Sequence, residues 1–373
     1  MNAVAVKNIK IKEINFSTKL EHLNKPANLA LKNSLGYIAF LGNGIDGKTL
    51  LPKKSKFRVD FEITGTCSGF ANGIRKCIMD EIPIYSLTMD SDGLTTSDWY
   101  VLSDYLQKNI ELIPIHQEID YEKAKTWTIS LNIINSTDEV INVKSGDLEI
   151  FEGKKKIPTE SIMSTNISIV ELHPAMFIKI LNITIVRGLS KFDASKFASI
   201  SNMRYEILDV EPLAHTKEEK TPGVSSLLSN PTAFRLGYTT YRNVKDPKTI
   251  IYKCCDALTG RISAFRKELE NVKEEPETKV ISYFSALLDV ETRSDFKFFN
   301  FKDESRTLPN MISHYCFNLD SNISFAAPSL IHPSTEIGVV KIKHLNSVKI
   351  IQDAMTAILR DIAVLKNTFL IEK

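Results

Sequence analysis

Two long stretches of heptad-spaced apolar residues limit what this chain can fold into. In the first, which starts at Asp246-Pro247, intervals of four and three residues link Ile251, Cys255, Leu258, Ile262, Phe265, Leu269 and Val272. In the second, from about Ser347 to the end of the sequence, the same spacing links Ile351, Met355, Ile358, Ile362, Leu365 and Phe369. This spacing places the apolar side chains along one face of an α-helix. Because neither helix can bury a stripe of about 30 Å alone, we expect them to pack on each other or on a shared sheet. Two independent core-facing helices are the alternative.

A shorter pattern precedes each of these helices, and its two copies resemble each other. In each copy a strand-like alternation of apolar residues leads through a turn into a short helix, which Pro83 ends in the first copy. The apolar residues of the first copy are Phe57, Val59, Phe61, Ile63, Phe70, Ile74, Cys77 and Ile78. Those of the second copy are Phe299, Phe301, Leu308, Met311, Ile312, Tyr315 and Cys316. Since the interval from Phe61 to Asn72 equals that from Phe299 to Asn310, we interpret the pattern as a strand–helix–strands–long-helix unit used twice.

A β-rich region separates the first short helix from the first long helix. Alternation with a period of two predicts strands at Trp127, Ile129, Leu131 and Ile133, at Ile167 and Ile169, and at Leu181, Ile183 and Ile185. Residues 215–230 are typical of a linker or exposed loop, and residues 273–278 of a joint between halves. We therefore predict an α+β fold whose first half is interrupted by an inserted β-rich domain. The predicted boundaries are 1–118 with 231–276 for the first half, 119–230 for the inserted domain and 277–373 for the second half.

The composition of the chain excludes several function classes. With 373 residues, 43% of them apolar, the chain is typical of a globular protein of roughly two or three domains. Its 47 basic and 45 acidic residues leave a net charge of +2, which argues against a surface devoted mainly to nucleic acid. No apolar run approaches the about 20 residues of a membrane span, and the N-terminus has no signal-peptide core. The five cysteines lack C-x-x-C spacing, so we expect buried, unreactive thiols in a reducing, intracellular setting.

The segment from Gly42 to Thr49 matches a phosphate-binding loop but leaves two interpretations open. It fits G-x-x-x-x-G-K-[ST], with Lys48 in the lysine position, which would make the chain an autonomous P-loop NTPase. However, Pro52 would stop the helix whose N-terminus must face the phosphate. A hairpin loop is therefore the favoured alternative.

The remaining titratable residues do not form a recognisable catalytic or metal-binding set. The seven histidines are scattered, and none pairs with another at a spacing of four residues. The acidic pairs Asp80-Glu81 and Asp303-Glu304 are expected to be solvated at helix ends. We accordingly predict no catalytic residue, no metal and no cofactor.

One segment of the first half resembles a known family signature. Residues 70–83 read FANGIRKCIMDEIP. They are similar to the first helix of the alpha-type assembly subunits of multisubunit DNA-directed RNA polymerases, where the pattern is A-N-[SG]-[LI]-R-R followed by E-[IV]-P. Further family motifs follow in the right order at residues 104–115, 143–148 and 187–199. Lys108, Asn109 and Glu111 stand where the family often has His, Arg and Gly, which indicates shifted contacts at that loop.

The second half resembles the small partner subunit with which such alpha-type chains pair. Residues 301–312 are similar to its E-D-H-T-L-G-N-L-L motif, although Arg306 replaces the His and Pro309 the Gly. The F-A-G-Y, H-P and I-x-I-x-I elements of the partner are matched at residues 325–328, 332–333 and 337–342. The resemblance covers residues 57–373, and residues 17–56 are a specific elaboration. Both partners would thus lie on one chain, as in the fused polymerase subunits of poxvirus-like and asfarvirus-like large DNA viruses.

The resemblance implies a noncatalytic assembly platform of a nucleotidyltransferase complex, the RNA polymerase. Its partners would be two large catalytic subunits and small polymerase subunits, with DNA reached only through the complex and no membrane. The setting would be intracellular and, for a viral chain, the host cytoplasm and the virion. The implied partner-binding residues are Asn72, Arg75 and Lys76 for the second-largest subunit, and Arg187, Lys191 and Lys196 for the insert-domain loop or a partner. Capping or backbone bonding of Asn72 and a surface ion pair of Arg75 are the alternatives.

The resemblance also implies that the two halves close into a pseudo-two-fold dimerisation module built from sheets and the two long helices. Its seam residues would be Ile74, Ile78, Leu258, Ile262, Phe265, Leu308, Met311, Ile312, Met355, Ile358 and Ile362. Because both partners are fused, we expect the isolated chain to fold as a monomer, with a homodimer that exchanges second halves as the alternative. A stand-alone protein-interaction module remains a further alternative for the function.

Overall fold

The computed structural model of the protein describes ten ranges of the chain. They are residues 3–14, 56–198, 200–209, 231–240, 244, 246–272, 282–293, 295–320, 322–332 and 334–371. The loop from Gly42 to Thr49, the linker at 215–230 and the joint at 273–278 lie outside the described residues.

The described ranges contain seven α-helices. They are α1 (Ser68–Lys76), α2 (Ser103–Glu111), α3 (Tyr121–Ala124), α4 (Thr159–Ile162), α5 (Thr249–Leu269), α6 (Thr307–Leu319) and α7 (Ser347–Ile371). A π-helical turn, Cys77–Glu81, continues α1. None of the helices in the described ranges combines the length and the apolar content that crossing a membrane requires.

Seventeen β-strands complete the fold within the same ranges, which makes it a mixture of helices and sheets. They are β1 (Ala5–Ile14), β2 (Lys56–Thr64), β3 (Pro83–Thr88), β4 (Leu94–Thr96), β5 (Trp127–Ile134), β6 (Ile141–Lys144), β7 (Glu149–Glu152), β8 (Lys155–Ile157), β9 (Ser168–Leu172), β10 (Phe177–Leu189), β11 (Ile200–Ile207), β12 (Ala233–Thr240), β13 (Ser282–Phe284), β14 (Leu288–Arg293), β15 (Phe296–Lys302), β16 (Phe325–Leu330) and β17 (Ile337–Lys343).

Two antiparallel sheets each contribute one face to the main hydrophobic core. The first sheet has the order β1-β2-β12-β11 and the second the order β13-β14-β15-β17-β16. In β2, Val59, Phe61 and Ile63 are fully buried, and in β15 Phe299 and Phe301 are. Because successive side chains of a strand point to opposite faces, the period-two pattern of the sequence selects the face of each sheet that enters the core.

Four helices from distant parts of the sequence pack together in the same core as these sheets. α5 packs against α7, α6 against α7, and α1 against α6. α5 and α7 run antiparallel, since Lys248 Nζ and Tyr252 OH at the start of α5 donate to the Phe369 carbonyl at the end of α7, over 3.0 and 3.1 Å. All the residues predicted for the seam are buried in this one core. The two heptad-spaced helices are therefore packed on each other.

The first long helix begins slightly later than its sequence indicated. We expected a start at Asp246-Pro247, whereas α5 begins at Thr249. Asp246 instead forms a turn, in which its side chain accepts a hydrogen bond from the Lys248 backbone N–H (2.9 Å). The Pro247 carbonyl accepts from the buried Tyr238 hydroxyl (2.8 Å), which ties this turn to the first sheet.

A second hydrophobic core lies against a six-stranded sheet of order β3-β10-β5-β7-β8, with β4 beside β10. The two-stranded sheet β6-β9 and α2 also contribute to it. Its buried residues extend from Leu87 to Ile185, so residues before 118 belong to it. The predicted domain boundary at 118 remains a prediction.

The alternation expected from Leu181 to Ile185 begins only at Ile183. A register shift in β10 occurs between Ile180 and Ile183, and Asn182 has a φ of 61°. Leu181 is next to the buried Ile180 and is 43% exposed by ordinary alternation. The irregularity at Asn182 then shifts the alternation so that Ile183 and Ile185 face the core. A period of two cannot reveal such an irregularity, because it assumes regular pleating on both sides.

The five cysteines are buried and form no disulfide, as expected. Burial raises the pKa of the Cys255 and Cys316 thiols to about 12. Because the thiolate is the reactive form, these two thiols are unreactive near neutral pH.

Candidate functional site

The first short helix lies close to its counterpart in the second half, and two glycines, Gly69 and Gly73, are on the facing side. A Cβ atom built on Gly73 would lie 2.1 Å from Met311 Cε, and one built on Gly69 would lie 2.7 Å from His314 Cδ2. The methyl end of Met311 can move aside, but a Cβ on Gly69 would also lie 3.2 Å from the Asn310 carbonyl oxygen, so Gly69 is the position at which the approach of α1 to α6 requires glycine. The contact determines which face of α1 is left for other partners.

The predicted contact residues Asn72, Arg75 and Lys76 lie together on the partly exposed face of α1. Arg75 Nε donates to Asn72 Oδ1 (2.9 Å), and Arg75 Nη1 lies 3.2 Å from Met79 Sδ. Lys76 Nζ pairs with Asp80 Oδ2 one turn further along (2.7 Å). These contacts within α1 and its π-helical turn orient the side chains while leaving the guanidinium without a carboxylate partner among the described residues.

Lys196, the last of the predicted contact residues, forms an internal ion pair. Its Nζ is 2.9 Å from Oε1 of Glu111, which is 5% exposed and also accepts from Lys108 Nζ (2.9 Å) and Gln107 Nε2 (3.1 Å). Burial alone would raise the pKa of Glu111, but these hydrogen bonds hold it below its usual value. Of the two predicted roles, this contact supports the anchoring of the insert-domain loop.

The residues that depart from the family pattern take part in the same network. Lys108 and Glu111 form the ion pair just described, and Asn109 Nδ2 donates to the Ile169 carbonyl (2.8 Å). These side chains therefore make contacts within the chain where the family often has His, Arg and Gly. That the contacts at this loop are shifted relative to the family stays a prediction.

Lys191 links three segments that are far apart in the sequence. Its Nζ is 2.7 Å from Glu336 Oε2, before β17, and its backbone N–H donates to the Asp80 carbonyl in the π-helical turn after α1 (3.1 Å). The loop after β10 is thereby tied to both halves. Arg187, four residues earlier, is exposed and opens onto a cavity of about 640 Å³ beside α5.

An ion-pair network that the sequence analysis missed crosses between the halves. Arg261 on α5 contacts Glu81 Oε2 through Nη2 (2.6 Å) and both oxygens of Glu304 through Nη1 (3.1 and 3.2 Å). Burial is the main cause that raises the pKa of Glu304 to about 7, and the like charge of Glu81 adds to it against the attraction of Arg261.

The expectation that both acidic pairs are solvated is therefore wrong for Glu81 and Glu304, which are 8% and 2% exposed. Because Arg261 comes from a segment distant in sequence from both acids, no local pattern indicates that it covers them. A signal was nevertheless present, since both acids lie within the two motifs that carry the family resemblance.

Among the described residues, no group of three or more His, Cys, Asp or Glu side chains could hold a metal ion. The absence of metal and cofactor stays a prediction. The NTPase alternative stays untested as well, because the loop that suggested it lies outside the described residues.

Comparison with known proteins shows which proteins the chain is similar to. No model of a known protein family matches it. Two curated proteins from African swine fever virus, both named "DNA-directed RNA polymerase RPB3-11 homolog", are each 26% identical to it over 325 residues. They come from the tick isolate Pretoriuskop Pr4 and the warthog isolate Wart80, and each alignment covers 83% of this chain and 85% of the relative. The resemblance recognised from the motifs is thus confirmed: the chain is a homologue of these viral polymerase proteins and matches a fused alpha-like subunit of DNA-directed RNA polymerase.

Proposed function

We propose that this chain is the noncatalytic assembly platform of a DNA-directed RNA polymerase, with both alpha-like partners fused into one polypeptide. The proposal extends the homology to the viral RPB3-11 homologs. The observation that carries it is the pairing of equivalent elements across the two halves. The short helix α1 packs on the short helix α6, and the long helix α5 packs on the long helix α7.

A two-fold axis brings equivalent surfaces of the two halves into contact with each other. In such an interface the same surface of each partner meets its own equivalent, so a residue on the axis contacts its counterpart. If Asn72 is equivalent to Asn310, then Gly73 is equivalent to Met311. These two residues are in direct contact, since the space of a Gly73 Cβ is occupied by the Met311 side chain. This contact supports a pseudo-two-fold dimerisation module whose axis passes between α1 and α6, closed by the predicted seam.

The face of α1 opposite this contact would bind the second-largest subunit of the polymerase. Arg75 Nε donates to Asn72 there, and the Nη1 and Nη2 end of the guanidinium, which has no carboxylate partner among the described residues, would form a bidentate pair with a carboxylate of a partner. The catalytic carboxylates for nucleotidyl transfer would lie on the large subunits. Small polymerase subunits would be further partners, and DNA would be contacted only through the complex.

Affinity purification of the tagged chain from its native source tests this proposal. We expect two large polymerase chains to copurify with it. We also expect Arg75→Glu to lose most of the second-largest chain, because the substitution reverses the charge at the centre of the proposed contact. Lys154→Glu is the matched control, since Lys154 is exposed in the turn between β7 and β8.

Both variants should retain the thermal stability of the wild-type chain. Failure of any large polymerase chain to copurify with the wild type would refute the assembly role. Equal recovery with Arg75→Glu and Lys154→Glu would refute only the assigned contact.

A further inference from the structure

The cavity beside α5 has an unusual charge arrangement. It has a volume of about 640 Å³ and lies between the ends of β3 and β10, the loop after β10, and α5. Arg187 and Tyr85 are cross-strand partners in the β10–β3 pair, and Lys253 projects toward them from α5. These three side chains form one end of the cavity.

Most of the other charges in the cavity wall already have partners. Arg261 is paired with Glu81, Lys191 with Glu336, and Asp256 with Lys366. The remaining acidic residue of the wall, Asp303, is exposed in the turn before α6. Two cations, Arg187 and Lys253, have no ion-pair partner within 4 Å among the described residues, so this end of the cavity carries positive charge that no direct ion pair neutralises.

The groups that contact the Lys253 ammonium directly are neutral, while the charges of Glu118 and Arg187 act on it from a greater distance. Lys253 Nζ is 3.2 Å from Gln117 Oε1, 3.4 Å from the Pro83 carbonyl and 4.5 Å from the centre of the Tyr85 ring. Burial lowers the pKa of Lys253 to about 8, against the charge of Glu118, which raises it, while the charge of Arg187 has a smaller lowering effect. A partly buried cation without a counter-ion destabilises the isolated chain. Such an arrangement is expected where a partner supplies the missing charge.

We propose that this end of the cavity is a receptor for one carboxylate, contributed by an acidic segment of a polymerase subunit and bound by Arg187 and Lys253. The inference rests on the proposed function and names the chemistry of one contact that the platform makes. The guanidinium of Arg187 can bind both carboxylate oxygens, and the ammonium of Lys253 can bind one of them.

A carboxylate fits this site better than the phosphates of a nucleic acid. Nucleic-acid binding uses extended basic surfaces that neutralise several phosphates at once. Here the two free cations lie in a recess with the Tyr85–Tyr121 stack on one side (ring centres 5.1 Å apart), and Asp303 contributes a negative charge to the same wall. A group with one negative charge therefore matches the site.

Peptide titration of the purified full-length chain tests the site. The probes are acetyl-triglutamate amide, the matched acetyl-triglutamine amide, and an oligothymidylate. The readout is the NMR signal of Lys253 after reductive ¹³C-methylation of the lysines, assigned by its loss in Lys253→Met. We expect triglutamate to shift this signal and to raise the pKa of Lys253, and triglutamine to do neither. Arg187→Gln should weaken triglutamate binding about tenfold, the effect of losing one charge-assisted contact.

The stability of Lys253→Met separates a binding role from a structural one. If the counter-ion of the Lys253 ammonium is present only in the complex, replacement of Lys253 by an apolar side chain of similar length should raise the melting temperature of the isolated chain. A lower melting temperature would mean that Lys253 is a structural residue and would overturn the inference. So would an equal response to the two peptides, or tighter binding of the oligothymidylate than of triglutamate.

The polymerase complex provides the last comparison. A complex that contains the double variant Lys253→Met and Arg187→Gln should lose a large subunit at a lower salt concentration than the wild-type complex does. Undiminished retention, together with no triglutamate binding, would refute the carboxylate site and leave the assembly role intact. Triglutamate binding by a chain that copurifies no polymerase subunit would refute the assembly role and leave an acidic-peptide site.

Discussion

Removal of the Arg261 guanidinium is the sharpest test of the contact between the two halves. Arg261 is the only described cation within ion-pair distance of Glu81 and Glu304, whose carboxylates are 8% and 2% exposed. Arg261→Met keeps an unbranched apolar stem, removes the guanidinium and leaves both acids buried without a counter-charge. Breaking a buried pair in this way costs about 3–5 kcal/mol. Because the Arg261 side chain is 30% exposed, we expect a loss near the lower end, about 3 kcal/mol.

The loss of stability caused by Arg261→Met should increase with pH. Glu304 has a pKa raised from 4.5 to about 7, so the folded state binds its proton more tightly than the unfolded state does. Protonated Glu304 therefore stabilises the folded state fully below about pH 4.5, and this stabilisation is lost as the pH rises through 7. The difference between the two pKa values, 7 and 4.5, corresponds to about 3 kcal/mol of unfolding free energy. Without Arg261 the pKa of Glu304 rises further, so Arg261→Met should be most destabilising near pH 8 and much less so near pH 5.

Urea unfolding of the wild type and the variant at about pH 5, 6, 7 and 8 measures this dependence. Arg261→Met combined with Glu304→Gln is the control, since it removes the ionisable group and should recover part of the stability at pH 8. An Arg261→Met chain as stable as the wild type at pH 8 would refute the reasoning. A loss of the same size at pH 5 and pH 8 would also refute it, because the cause would then not be an unpaired carboxylate.

Three further predictions address the core between the halves. Ile358→Asp should cost several kcal/mol in thermal or urea unfolding, because Ile358 is fully buried and the new charge would have no partner; unchanged stability would contradict the seam. Gly69→Ala should destabilise by about 1–3 kcal/mol, since its Cβ would lie 2.7 Å from the His314 ring and 3.2 Å from the Asn310 carbonyl oxygen. Gly260→Ala on α5, where a Cβ meets nothing within 4 Å, should instead stabilise by about 0.5–1 kcal/mol, and equal effects of the two substitutions would contradict the close helix contact. Light scattering of the isolated chain at low concentration should give the mass of a monomer, and a dimer mass would favour exchange of the second halves between chains.

The sequence by itself determined the periodic elements and the residues they bury. Heptad spacing placed Leu258 and Ile358 on the inner faces of two helices, and alternation placed Phe61 and Phe299 on the inner faces of two strands; all four are buried. These assignments succeed because side-chain direction repeats with the geometry of the backbone itself. The same regularity explains the error at Leu181, where an irregularity in β10 interrupts the period.

Only the tertiary structure decided how the charged residues are used. Arg261 and Glu81 are 180 residues apart in the sequence, and Lys196 and Glu111 are 85 apart. Whether a charge is paired, buried or left free depends on which distant segment the fold brings beside it, and no local period contains that information. For the same reason the free cations Arg187 and Lys253 became visible only when β10 and α5 were placed around one cavity.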